Sequence, residues 1–329
     1  MILTCKSAWL SAVLMLFSLF PAHAVQAAPP AEKPALKITP GKVIVPFDRM
    51  RRIWGELVSV DLEKQTGVFR NEGDDVEFPF TVMPYAEMLH HATFGDLRDF
   101  KIGERAIFRM HENEAGEWVW LTYIQDEMNM LNGHKEYYLV DAIDADRGRI
   151  EFTQAKADKS YVRESGLFLE TNDETRYWKN GQPAKFSDIQ VGDALRAKTH
   201  GVGKGRVRVC WHIFLDDESL LKFQAEQMEV HAQRMAEEGL PGYVDVAEGN
   251  DLALTLFQEA TVVALTLKPG QKIRVAPAGV NRKAIGEGIT GTVVSSTRKG
   301  KTFLVQLTTD APTQAFEVGK LARLWAGNE

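Results

Sequence analysis

A short turn motif returns four times along this 329-residue chain. It reads Phe100-Lys101-Ile102-Gly103-Glu104, Ile189-Gln190-Val191-Gly192-Asp193, Leu267-Lys268-Pro269-Gly270-Gln271 and Phe316-Glu317-Val318-Gly319-Lys320. Each copy sets Gly between an apolar or Pro residue and a polar one. A strand-like run follows each, at 106–109, 194–197, 272–275 and 321–324. Glycine supplies a backbone angle that other residues resist, so the chain turns tightly and enters a strand. Recurrence at this scale means similar small β units in series. The motif constrains architecture and leaves activity open.

The N-terminus stands apart. Lys6 precedes an apolar run over 8–20, and Ala22-His23-Ala24 offers small residues for cleavage. This is the pattern of a secretory signal peptide over 1–24, with cleavage after Ala27 as an alternative. The run is short for a bilayer span. Cys5 lies before the apolar core, which argues against a lipoprotein signal. Cleavage would leave Cys210 as the sole cysteine, so no intramolecular disulfide is expected. It would remove Lys6 and no acid, taking the net charge from −6 to −7. An acidic chain is a poor candidate for non-specific nucleic-acid binding. No later segment reads as a transmembrane helix. The expected product is soluble and periplasmic or secreted.

A linker rich in Ala, Pro and Lys covers 25–50. The first unit, 51–134, shows strand patterns at 54–61, 67–71 and 76–82. Pro84 is then expected to open a short helix over 85–91. Strands at 105–111 and 117–125 follow. Three strands, a helix and two strands resemble the order of an OB-fold barrel. The second unit, 135–217, shows strands at 138–144, 149–154, 166–171 and 207–215, with a turn at Asn180-Gly181. Its segment 167–198 pairs a Thr-containing strand, an Asn-Gly turn and a Val-Gly-Asp turn. This resembles a repeat of exported bacterial proteins of unknown function, and implies a small β-barrel.

A helix is expected within 218–241, capped by Asp216 or Asp217 and ended by Gly239 and Pro241. Leu221, Ala225, Met228, Ala232 and Met235 form an apolar stripe. It predicts packing against the protein's own barrels, or self-association through 218–238. The last unit, 242–329, shows strands at 243–246, 252–257, 261–265, 289–295, 302–307 and 321–325. Gly291-Thr292-Val293-Val294, Thr302-Phe303-Leu304-Val305 and Val318-Gly319-Lys320 resemble the β-barrel of periplasmic adaptor (membrane-fusion) proteins. Val318 stands where that family has Pro. Its long helical hairpin and lipoyl half-motifs are missing, so adaptor function does not carry over. The fold expected is mainly β: three small OB-like or related barrels in series, with a linking helix between the second and third.

Chemistry is sparse. Met83, Met88, His90, His91, Met110 and His111 combine thioethers and imidazoles, which suit copper(I). With Trp118 and Trp120 the set is similar in type to small periplasmic copper chaperones, and copper is the alternative cofactor to none. Cys210 and His212 share a predicted strand without a third orienting group, so Cys210 reads as structural. Asp141, Asp144 and Asp146 depart from calcium-loop spacing and read as a hairpin turn. No phosphate loop, nucleophile elbow or two-His protease helix is present. The expected role is non-catalytic binding or scaffolding, with an envelope protein or polymer as partner. The binding surface is expected around Tyr85, His90, His91 and Phe94. A hydrolase acting on an envelope polymer is a further alternative, because carboxylate pairs carry no local signature.

Overall fold

All four Gly turns adopt one geometry. The glycines have φ of 85° (Gly103), 95° (Gly192), 86° (Gly270) and 87° (Gly319). In each, the N–H of the residue after Gly donates to the carbonyl three positions back: Glu104 to Lys101, Asp193 to Gln190, Gln271 to Lys268 and Lys320 to Glu317, at 3.0–3.1 Å. This is a type II turn, whose third position requires positive φ. Each Gly N–H also donates to a barrel strand, at Leu57, Val140, Val293 and Val244. The same four residues return a bond from their own N–H to the carbonyl after the Gly. The turn thus pins the start of one strand to the middle of another. Replacing Gly192 by Val is expected to cost about 1–3 kcal/mol through backbone strain alone, since open space surrounds the added carbon. An unchanged denaturation midpoint would contradict this.

The computed structural model describes residues 50–201 and 207–327. The expected signal peptide and nearly all of the linker lie outside them. The first unit comprises β1 (Arg51–Asp61), β2 (Thr66–Asn71), β3 (Glu77–His90), β4 (Thr93–Phe94), β5 (Arg105–Glu112), β6 (Trp118–Asp126) and helix α1 (Glu127–His134). The second comprises β7 (Glu136–Asp144), β8 (Arg149–Lys156), β9 (Val162–Glu170), β10 (Arg176–Lys179), β11 (Gln182–Ala184), β12 (Ala194–His200) and β13 (Arg208–Phe214). Helix α2 (Asp217–Glu238) leads to the third: β14 (Leu240–Glu248), β15 (Asp251–Leu256), α3 (Thr261–Thr266), β16 (Lys272–Pro277), β17 (Ile289–Lys299), β18 (Thr302–Thr309) and β19 (Leu321–Trp325).

The protein is mainly β. Strands β2-β1-β5-β6-β3 close on themselves through a β2–β3 pairing. Strands β13-β12-β7-β8-β9 close likewise through β13–β9. In both rings a three-strand meander is followed by a last strand running parallel to the third, β6 to β3 and β13 to β9. That is the OB connectivity, in both five-stranded barrels. The third barrel closes in the order β14-β15-β18-β17-β16-β19, antiparallel throughout. Each barrel has its own apolar core, and the linking helix lies between the second and third as expected.

Several local expectations are corrected. Residues 85–90 are strand, not helix. Strand β3 runs through Pro84, with a pairing irregularity between Val82 and Glu87 that accommodates the missing N–H. This strand is buried on both sides: Phe80, Val82 and Met88 enter the first core, while Met83 and Tyr85 pack with Tyr243 of the third barrel. Two-sided burial removes the alternation that marks a strand. A 3-10 turn, Leu97–Asp99, replaces the expected barrel helix. Residues 261–265 are helix, not strand. Ala260, Ala264 and Leu267 enter the third core at helical spacing, while Val262 and Leu265 are exposed. The stripe on α2 is also turned. Leu221 and Met228 are exposed, and the helix docks through Ser219, Leu220, Gln227 and His231.

Candidate functional site

The first Gly turn builds a charged joint between the first two barrels. Glu104, the polar residue of that turn, is 1% exposed. Its Oε2 accepts the Lys101 N–H at 3.0 Å, as Asp193 and Gln271 do in their own turns. Its Oε1 is 2.7 Å from the Lys198 ammonium, which β12 carries across from the second barrel. Lys198 also donates to His90 Nε2 at 2.8 Å and to His91 Nε2 at 3.3 Å. The ammonium is thus ion-paired with one carboxylate and hydrogen-bonded to two imidazoles. Asp126 Oδ2 stands 3.6 Å from the same ammonium. It also accepts the His91 N–H at 2.8 Å, while Oδ1 caps α1 by accepting the Asn129 N–H.

The network runs on into α2. With Nε2 of His90 accepting from Lys198, its Nδ1–H is the donor to Gln227 Oε1 at 3.2 Å. Gln227 Nε2 donates to Asp99 Oδ2 at 2.9 Å, and Arg234 grips both Asp99 oxygens at 2.8 Å. Beside this lies a second buried group. Glu127 accepts from Arg105 Nη1 at 2.8 Å, from Thr199 N and Oγ1 at 3.1 and 2.7 Å, and from the Tyr138 hydroxyl. Arg105 lies over the Trp54 ring at 3.9 Å.

Burial works against the Glu104 carboxylate, but the adjacent Lys198 ammonium outweighs it and holds its pKa well below the usual range. Burial and then Lys198 push His91 far below the usual imidazole value. Burial and Lys198 also lower His212, to about 4. The Trp178 indole N–H donates to His212 Nδ1 at 3.1 Å, a bond that requires the bare lone pair. Both imidazoles are thus neutral when folded. As pH falls below the ordinary value of about 6.5, the unfolded chain binds protons that the folded chain refuses, so stability falls. The Glu104 contribution is present above its ordinary pKa and is lost on further acidification. Urea midpoints are expected to decline from about pH 6.5 towards about pH 4 and to be level up to about pH 8. A midpoint that rises on acidification would contradict the assignment.

The residues expected to form a site are dispersed. Tyr85 and His90 are buried, at 2% and 5% exposure, so they belong to junctions and not to a displayed surface. His91 and Phe94 are half-buried. Of the copper set, Met88 and Met110 lie in the first core, Met83 lies with Tyr85 and Tyr243, and His111 is fully buried. His90 and His91 do come together, and with Asp126 their ligand atoms lie within 4.8 Å of one another. The Lys198 ammonium stands among them, as a built-in cation. Cys210 is in the second core, where burial pushes its thiol pKa well up, while His212 is held by Trp178. Cys210 in the native protein should therefore resist iodoacetamide and react once unfolded; rapid native labelling at Cys210 would contradict the burial.

A large concave feature was missed by sequence reasoning. A cleft of about 830 Å³ opens between α2 and the third barrel. Its walls include Met228, Met235, Leu240, Val262, Leu324 and Trp325, with His231 and Glu259 as the ionisable pair. His231 Nε2 lies 2.9 Å from Glu259 Oε2, and its ring stacks on Phe94 at 6.2 Å. The signal lay in the Met228 and Met235 half of the α2 stripe, which lines this cleft, with Met235 also packed against the third core.

No protein-family model matches the chain. No curated protein matches it either. Among solved structures, the chain is similar to one described as Drosophila Unr CSD456, at 14% identity over 74% of this chain and 78% of that one, with a TM-score of 0.19. Likeness at that level assigns neither fold nor function. The small-barrel reading stands on strand connectivity. The resemblance to exported repeat proteins and to adaptor barrels gains no support from these comparisons. No helix among the described residues is long and apolar enough to cross a membrane.

Proposed function

We propose that the chain is a non-catalytic binding protein of the cell envelope, periplasmic or secreted, serving an envelope protein or polymer. The observation that supports this reading is the cleft between α2 and the third barrel. Its volume of about 830 Å³ and mainly apolar walls with one ionisable pair and a few uncharged polar side chains match the usual form of a small-molecule site, roughly 300–1,000 Å³. The three closed barrels supply a rigid frame, and the buried charges of the joint neutralise one another instead of facing a cavity. Binding, in this reading, takes place at the cleft and the joint sets the geometry around it. The test is titration with an apolar fluorophore such as N-phenylnaphthylamine, with Trp325 as internal reporter. Saturable one-to-one binding is expected. A linear, non-saturating signal would remove the reading. The export part is tested separately, by mass spectrometry of the native N-terminus, expected at Val25 or Ala28.

A second reading, copper handling, is favoured by one observation: His90, His91 and Asp126 present ligand atoms in a single cluster. Copper(I) there needs Lys198 to withdraw. Saturable Cu(I) uptake that is weakened by His90→Ala with His91→Ala would support it, and no saturable uptake would remove it.

A further inference from the structure

We infer that Arg52 and Arg109 form an anion seat on the outer wall of the first barrel, and that this seat takes a phosphomonoester group. Neither residue lines the cleft, and the seat does not depend on it. Alternation along the strands sets both side chains outside the barrel, since Ile53 and Leu57 of β1 and Phe108 and Met110 of β5 fill the first core. Arg52 and Arg109 stand directly opposite one another in the β1–β5 register. Tyr123 of β6 continues the row, opposite Arg109. The Arg109 guanidinium lies 4.0 Å from the Tyr123 ring centre, and that of Arg52 lies 5.8 Å from the ring of Trp54, the next outward residue on β1. Aromatic rings thus orient both guanidiniums without neutralising either. Arg52 is exposed and Arg109 half-buried, so an incoming anion reaches the pair from solvent.

Like charges directly opposite on a sheet are destabilising, and here no carboxylate compensates. Among the described residues neither guanidinium has an ion pair or a hydrogen bond. The surrounding acids do not serve. Glu136 accepts from both ends of the Arg163 fork, at 2.8 and 2.6 Å, and from Gln154 at 3.0 Å. Glu72 and Glu127 hold Arg105. Glu87 lies across Tyr123 on β3, and burial raises it above the usual carboxylate value, so Arg109 does not hold it as a partner. Burial lowers Arg52, and Arg109 and then Arg163 lower it further, so a third cation bears on the pair. The number of forks selects the anion. One guanidinium fork uses both oxygens of a carboxylate. Two forks meeting on one group need more, and the three free oxygens of a phosphomonoester supply them.

The test is isothermal titration of methyl phosphate and of acetate into the whole protein at fixed ionic strength, so that screening of the arginine pair is the same throughout. Saturable binding of methyl phosphate is expected, about tenfold or more tighter than acetate. Arg52→Gln and Arg109→Gln should each weaken it by about tenfold or more. Arg52→Lys keeps the charge and loses the fork, so it should bind nearly as weakly as Arg52→Gln. Arg52 is exposed and Arg52→Gln relieves repulsion, so this variant should unfold no earlier than wild type in phosphate-free buffer. Two further arms place the phosphate: glycerol phosphate in solution, and phosphatidylcholine vesicles carrying phosphatidic acid. Tighter binding to the vesicles, lost in Arg52→Gln, assigns a lipid head group; tighter binding of glycerol phosphate assigns a soluble ester. Absence of saturable methyl phosphate binding, equal affinity for acetate, or affinity that survives both glutamine variants overturns the seat. None of these outcomes bears on the cleft.

Discussion

Lys198→Met should destabilise the folded chain by about 3–5 kcal/mol, the range for removing one partner of a buried ion pair. The methionine fills the lysine stem's volume and removes only the ammonium. Glu104 and Asp126, at 1% and 0% exposure, are then left facing two imidazoles with no cation among them. Lys198→Arg should not restore the loss, because a planar fork cannot occupy the point where three acceptors converge. Combining Lys198→Met with Glu104→Gln should recover part of the stability, since it removes the stranded charge. By contrast, replacing Lys64, an exposed partner of Asp61, should be near neutral. Urea unfolding followed by circular dichroism reads all four. A Lys198→Met midpoint equal to wild type would show that the ammonium is not the keystone of the joint.

Glu127→Ala carries a comparable loss, about 3–5 kcal/mol, by a different route. One carboxylate satisfies Arg105, both donors of Thr199 and the Tyr138 hydroxyl. Truncation strands a guanidinium that is 5% exposed, with only Glu72 left to neutralise it. Tyr138 lies in the second core and Arg105 opens β5 of the first barrel, so the damage spans both. If the two barrels unfold as one unit, the transition should stay single while its midpoint falls. Two separated transitions would mean that the joint couples them weakly.

The repeated turns were fully legible. Positive φ at a tight turn leaves glycine as the natural choice, and the four copies share the same bonds. Barrel order in the first unit followed from strand patterns. Legibility failed wherever a second barrel covered a surface. Strand β3 looked helical because Met83 and Tyr85 serve one core while Val82 and Met88 serve another. The β-branched run Thr261-Val262-Val263 read as strand, yet the spacing of Ala260, Ala264 and Leu267 decided for helix. Lys198 passed unnoticed because a lysine on a strand's outer face is ordinarily solvated. Only contact with the first barrel buries it, and no local pattern encodes that contact. His90 and His91 are brought together with Asp126, and the Lys198 ammonium that stands among them was not legible in the sequence. The cleft showed locally only in part of the α2 stripe, since its other walls come from α3 and β19, distant in sequence.

The most direct test of the binding reading fills the cleft from its own wall. Ala232 lines it from an exposed position on α2, so Ala232→Trp adds bulk there without disturbing a core. Isothermal titration of dodecanol into wild type and Ala232→Trp should give saturable binding in the first and its loss in the second, with unchanged unfolding midpoints. Equal affinity in the two proteins would place the ligand elsewhere and contradict the assignment of the cleft.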